Sequence, residues 1–392
     1  MKAISTLLLI AGCASQPAQS PQPRCEQTVG NGVVLKLDDA ALQTALDQAR
    51  HDLGLIGGAA EVRLGCGTWR GASGTADLAT GEPLALDAAF RIGSITKTVT
   101  STVVLQLVDE GRLALDDTLE HWYPGYPGGS AITIRQLLSH TSGIAEYSTQ
   151  SSFLQAVAAE PLRVWQPREL IAYAAAASPR FVPGTSFEYC NTGYVLAGLV
   201  IEAVTGRSAA LEIRERVLVP AGVTHTWLDG SEAALAPINH AYAHLDSTGA
   251  VDLSAPPTEV SHLASATVGW TAGALAATPD DLVGLIDAIV GPDLLSPDSL
   301  AKMKPAPGAA HLITTDGADF GRYGLGLIEL DSSLGPAYGH GGDFAGFLTY
   351  AIRIPAADIS FVVLLNDHRH IVDLQRVVAA LGDALGAPRT MP

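Results

Sequence analysis

The chain is 392 residues long, 47% hydrophobic and 16% charged, which gives it the apolar content of a large-cored globular protein and the length of two or three domains. Its formal net charge is −17, and no run of Lys and Arg stands out. That balance argues against nucleic acid as a partner, because phosphate binding needs clustered cations.

At the N-terminus, Lys2 and the apolar run ending Leu8-Leu-Ile-Ala-Gly-Cys13 read as a targeting segment too short to span a bilayer. Ile10-Ala-Gly-Cys13 resembles the bacterial lipobox, whose cysteine is lipidated and becomes the first mature residue. Residues 1–12 are then a signal peptide and 13–37 a lipid-anchored linker, with a Pro- and Gln-rich tether over Ser15–Pro23. An ordinary signal peptide is the alternative. The expected location is the periplasmic face of a bacterial membrane. Ser15 is not the Asp that tends to hold lipoproteins at the inner membrane, which leans towards the outer one. With Cys13 lipidated, Cys25, Cys66 and Cys190 remain; export permits a disulfide, and Cys25 with Cys66 is the sensible pair. Cys190 reads as a small packing residue.

Asp38 caps an amphipathic helix to Leu53, with Leu42, Leu46, Ala49 and Leu53 on one face. Two strands follow, near 59–64 and 68–74. Val99, Val103, Leu107 and Val108 recur at helical spacing up to a stop at Gly111, which puts Ser94 in the first turn of a helix and Lys97 one turn on, over the same face. A serine hydroxyl is a poor nucleophile unless an amine lies within reach and helix N–H groups help it. Ser299-Leu-Ala-Lys302 matches the same Ser-x-x-Lys spacing in a polar helix without company, so the spacing alone decides nothing. Thr133 and Gln136 form a capping box. Further helices are expected over 167–177 and 191–205, the second directly after Tyr189-Cys-Asn191. His240 and His244 flank a β-like stretch before the turn Ser247-Thr-Gly249; in a strand they lie roughly 13 Å apart, too far to share a metal. Strands are expected near Arg322–Leu330, Tyr350–Ile354 and Ser360–Leu365, and around His340-Gly-Gly342, whose glycines let a backbone or ligand approach closely. Asp367-His-Arg-His370 reads as a solvated loop or helix start, before a last helix from about Ile371.

Ser94-x-x-Lys97, Tyr189-x-Asn191 and His340-x-Gly342, in this order, resemble the serine β-lactamase and DD-peptidase superfamily, in its branch of class C enzymes, DD-carboxypeptidases, esterases and D-aminopeptidases. Ile132–Gly143, Thr278-Pro-Asp-Asp-Leu282 and Tyr323-Gly-Leu-Gly-Leu327 look familial too, and the likeness runs from about residue 40 to the C-terminus. Strands at both ends with helices between predict an α/β (α+β) fold, an antiparallel sheet flanked by helices plus an all-α insertion. The expected partition is a discontinuous α/β domain over 38–119 and 262–392, with the insertion over 120–261.

The resemblance implies a Ser94 acyl-enzyme, with Lys97 or Tyr189 as base. It implies that Asn191 holds Lys97 and the substrate amide, and that the backbone N–H groups of Ser94 and Asp343 form an oxyanion hole. His340 stands where many β-lactamases have lysine, and is expected to pass a proton to the leaving group or to hold Tyr189. Gly341, Gly342 and Asp343 would line the substrate. No cofactor and no metal are implied; the partners are a small-molecule or peptide substrate and, through Cys13, a membrane.

Two departures bear on substrate. Carboxypeptidase relatives bind a terminal carboxylate with a threonine and an arginine where this chain has Gly341 and Ile328, and Asp343 adds negative charge. A carboxylate there loses about 2 kcal/mol or more, unless Arg322 or Arg353 compensates. The expectation is therefore a serine hydrolase acting on a peptide or ester, carboxypeptidase-like or esterase-like. A β-lactamase or slowly turning-over penicillin sensor, and a catalytically silent binding protein, are the alternatives.

Overall fold

A computed structural model describes residues 25–246, 252–313, 317, 319–369 and 371–388. The signal peptide, Cys13, the tether Ser15–Pro23, the turn Ser247-Thr-Gly249 and His370 lie outside them.

Ile359-Ser-Phe-Val-Val-Leu-Leu365 is rich in β-branched and large apolar residues and is buried along its whole length. Its alternate side chains serve two cores. Phe361, Val363 and Leu365 pack with Leu42, Leu46, Leu374, Val377 and Leu381, whereas Val362 and Leu364 pack with Val99, Val103, Leu282 and Ile286. The strand sits inside a nine-stranded sheet in the order 311–313, 319–323, 328–330, 337–344, 347–354, 359–365, 57–64, 67–77, 82–83, antiparallel throughout. Helix α1 (Asp39–Leu53) and the helix Val372–Leu385 cover one face. Helix α2 (Ile95–Asp109) and the helix Pro279–Val290 cover the other. The expected sheet-and-helix architecture is thus present.

Several expected local features hold. The Asp38 side chain accepts from the N–H groups of Ala40 and Ala41, and Gly54 closes α1 at φ 64°. The Thr133–Gln136 capping box forms on both sides. Cys25 and Cys66 are bonded, and Cys190 is buried and free.

Other features differ from expectation. The segment 322–330 is not one strand. Asp319–Tyr323 and Ile328–Leu330 pair antiparallel, and the glycines between them make the turn. Gly326 takes φ 77°, and a Cβ there would meet Ser101 Oγ at 2.4 Å, so this turn closes directly onto α2. Asp367-His-Arg is not a solvated loop: Asp367 and His368 form a short strand parallel to Tyr242–His244. The wholly buried Asp367 carboxylate accepts from Arg369 Nε at 2.8 Å and from the Ile56 N–H at 3.2 Å, which anchors the segment.

Helix α2 is buried all round rather than on one face. Its threonines stay satisfied because other elements offer carbonyls: Thr98 Oγ1 donates to Gly326 O at 2.6 Å and Thr100 Oγ1 to Thr271 O at 2.7 Å.

Candidate active site

Ser94 is the residue before the first turn of α2, and Gly93 before it takes φ 50°. A Cβ on Gly93 would lie 2.6 Å from the Asp343 nitrogen, and one on Gly342 would lie 2.0 Å from Ile92 O. Glycine is therefore needed on both sides for the strand Ala337–Phe344 to press its backbone against the start of α2. On the strand Ala337–Phe344, the strand 328–330 reaches only Ala337–Gly339, so among the described residues the edge from His340 onward has no strand neighbour on that side. Among the described residues no backbone carbonyl accepts from the Ser94 N–H. Two adjacent N–H groups beside Ser94 are what an oxyanion requires.

Lys97 Nζ lies 2.8 Å from Ser94 Oγ and 2.7 Å from Ala272 O. Ala272 belongs to the short helix Trp270–Gly273, whose Trp270 is held at φ 37°. Burial pushes the Lys97 ammonium down to about 7, against the opposing pull of the Glu146 charge. Lys97 Nζ also sits 4.9 Å from the Tyr189 ring centroid. Burial raises the Tyr189 phenol well above its ordinary value; a hydrogen bond with Ser94 opposes this, and the charges of Glu146 and Asp343 add to it. The two candidate bases are thereby separated. Lys97 is the one that can shed a proton near neutral pH, and Tyr189 keeps its own.

His340 is buried, and burial with the nearby Lys97 charge pushes its imidazole down to about 3, so the ring is neutral. Nδ1 donates to Gly341 O at 2.5 Å, which leaves Nε2 to accept from Tyr323 Oη at 3.0 Å. His340 therefore bonds Tyr323 rather than Tyr189, the partner in one of the two roles expected of it; Tyr323 stands edge-on to the Tyr189 ring at 5.9 Å.

Asn191 differs as well. Its Nδ2 is 3.4 Å from Glu146 Oε1, and its N–H donates to the other Glu146 oxygen, so Glu146 caps the helix Asn191–Thr205 from outside. The group that orients the Lys97 amine is the Ala272 carbonyl. Gly341 faces Phe320, and Ile328 is buried in the sheet. Neither compensating arginine is available. Arg322 pairs with Glu329 and Asp331, and Arg353 with Asp287 and Asp358. The decoy Ser299 donates to Asp109 at 2.7 Å, and its Lys302 pairs with Asp298.

Glu146 and Ala272 carry no motif in the sequence, and Tyr323 and His140 lie in familial stretches that gave them no role. His140 takes φ 58° and is almost wholly buried. Its Nδ1 accepts from the Cys190 N–H at 3.0 Å, and its ring lies over Tyr189 with centroids 4.2 Å apart. Burial, with Lys97 and His340 close by, holds it neutral. The stretch 132–143 that carries it was the available signal; for Glu146 and Ala272 O none existed, because one acts from a loop and the other from a short helix, both far from Ser94 in sequence.

A model described as Beta-lactamase matches residues 42–384. The chain belongs to the β-lactamase family. Within this β-lactamase family it is 28% identical to Penicillin-binding protein 4 of Amycolatopsis lactamdurans, over 85% of this chain and 86% of that one. Among solved structures it is similar to a D-stereospecific amidohydrolase from Streptomyces sp., with TM-score 0.73 and 33% identity over 88% of this chain and 98% of that one. It is also similar to the D-amino acid amidase from Ochrobactrum anthropi SV3 in complex with L-phenylalanine amide, with TM-score 0.76 and 25% identity over 88% and 97% of the two chains. This β-lactamase family member is a serine hydrolase of the β-lactamase and DD-peptidase superfamily.

Proposed function

We propose that the protein hydrolyses a small amide or short peptide that carries a free amine, through an acyl-enzyme on Ser94. The observation behind the substrate class is the charge around the site. Glu146 and Asp343 both act on Tyr189, while Arg322 and Arg353 are engaged elsewhere. An ammonium gains from that field and a carboxylate loses. The likeness to two amidohydrolases supports the same reading.

In the proposed reaction the neutral Lys97 amine keeps one N–H on Ala272 O and turns its lone pair to Ser94. It takes the hydroxyl proton as Oγ adds to the carbonyl carbon, and the oxyanion faces the N–H groups of Ser94 and Asp343. The tetrahedral adduct collapses by breaking the C–N bond, and the departing amine takes a proton relayed through Lys97 and the protonated Tyr189. Water then repeats the sequence to release the acid and free Ser94.

Turnover of D-phenylalanine amide, its L enantiomer and its N-acetyl derivative tests this. Hydrolysis of the free-amine D form by the native protein, absent in Ser94→Ala, is expected. Preference for the acetylated form, or for a peptide ending in a free carboxylate, would overturn the substrate class. A penicillin-recognising protein that acylates and stalls is the second reading, favoured by the match to a penicillin-binding protein. It gives a stoichiometric burst and no further product. We also propose lipid anchoring through Cys13, in which case Cys13→Ser moves the protein from the membrane fraction to the soluble one.

A further inference from the structure

Asp343 does more than supply a backbone N–H. Its side chain is half exposed beside the site, and Oδ2 lies 3.0 Å from His368 Nε2. The backbone at His368 is anchored through its neighbour and its strand. Its neighbour Asp367 is clamped by Arg369 and the Ile56 N–H, and the pair Asp367–His368 runs beside Tyr242–His244. From that strand His244 turns its Nε2 to Asp367, 3.3 Å away. Arg91, near Phe344, is taken up by Asp229 and Ser261 O. Among the described residues, His368 is thus the basic side chain paired with Asp343.

We propose that Asp343 is the subsite for the substrate's ammonium, and that His368 is its gate: protonated, it occupies the carboxylate, and neutral, it yields it. The proposal rests on the amine-bearing reading above and names the group that would carry it. The sign follows from the surroundings. Burial lowers the His368 imidazole, but the hydrogen bond and charge of Asp343 and the charge of Asp367 outweigh it, so the ring is raised above its ordinary 6.5. Below that raised value His368 competes with an ammonium for Asp343. As pH rises through it, the competitor disappears and ammonium binding tightens, by at most about tenfold per pH unit.

The test uses benzylamine, an ammonium throughout about pH 5.5 to 8.5, as a competitive inhibitor of p-nitrophenyl acetate hydrolysis. The neutral ester keeps the readout independent of whether the protein prefers amine-bearing amides. Lys97 also titrates in this window and repels an ammonium when charged, so the decisive quantity is the difference between the native protein and His368→Gln. The native inhibition constant is expected to fall about tenfold more than that of the variant between pH 5.5 and 8. Asp343→Asn is expected to weaken benzylamine at every pH. Parallel native and His368→Gln profiles would overturn the gate, and an Asp343→Asn protein that binds benzylamine normally would overturn the subsite. By linkage, saturating benzylamine should also lower the His368 titration midpoint of the unmutated protein, read by NMR. An unmoved midpoint contradicts the proposal without recourse to any variant.

Discussion

Among single residues, Lys97 is the one whose environment most changes its chemistry. An ordinary lysine is fully protonated at pH 7; here burial brings the ammonium down to about 7, so a substantial fraction is free amine at neutral pH. The acylation rate should therefore rise with pH up to about 7 and flatten above it, checked by the pH profile of kcat/KM for p-nitrophenyl acetate, a neutral ester with no ammonium to bind at Asp343. Lys97→Arg places a permanent cation there, and kcat/KM is expected to fall at least 10²-fold. The sequence showed that Ser94 and Lys97 share a helix face, but not that Ala272 O aims the amine, because that carbonyl arrives 175 residues later. His140 is a second case. It combines a left-handed backbone with a buried ring on which Tyr189 rests, and its Nε2 has no hydrogen-bond partner among the described residues. His140→Ala removes the acceptor of the Cys190 N–H, a loss of roughly 1–3 kcal/mol that a thermal melt would report.

Between elements, the site depends on how closely the strand Ala337–Phe344 approaches the start of α2. Gly342→Ala has no room, since its Cβ would meet Ile92 O at 2.0 Å and Thr349 Oγ1 at 2.3 Å. The strand must retreat and take the Asp343 N–H with it, so kcat is expected to drop about 10²–10³-fold while Ser94 remains in place. The glycines of His340-Gly-Gly342 made this close approach legible in advance. Helix α2 was legible as a helix but not as a central one, because its buried threonines look solvent-facing in sequence and are satisfied by distant carbonyls. Strand Gly57–Leu64 hides a comparable case. Glu61 is fully buried and neither of its oxygens has a hydrogen bond among the described residues, although Arg63 lies 3.6 Å away. Burial first, then the Asp280 charge, raises its carboxyl from 4.5 to about 7. The folded state thus holds a proton that the unfolded chain releases, and stability falls as pH rises from about 4.5 to 7, by roughly 3 kcal/mol. Glu61→Gln should melt at nearly the same temperature as the native protein at pH 4.5 and higher than it at pH 8.

Across the whole molecule, fold class was the most legible property, since strands at both ends of a chain with helices between leave few arrangements that bury both faces of a sheet. The two-strand turn at 324–327 and the anchored Asp367–His368 strand were not legible, because each is set by contacts with α2 or with residues near 242. The disulfide ties the hairpin of strands Cys25–Thr28 and Val34–Leu37 to the turn between strands 57–64 and 67–77 across a separation of 41 residues. Its reduction should cost roughly 4 kcal/mol by chain entropy, seen as a lower midpoint in denaturant, with Ser94 reactivity intact at low denaturant. The proposed reaction requires that Ser94 be acylated by way of a neutral Lys97. The most direct measurement is intact-protein mass spectrometry of p-nitrophenyl acetate acylation, quenched at intervals across about pH 5.5 to 9. One acetyl adduct is expected, absent in Ser94→Ala, forming faster up to about pH 7 and no faster above it. An adduct that persists in Ser94→Ala, or a rate that keeps climbing towards the ordinary lysine pKa, would contradict the proposed reaction.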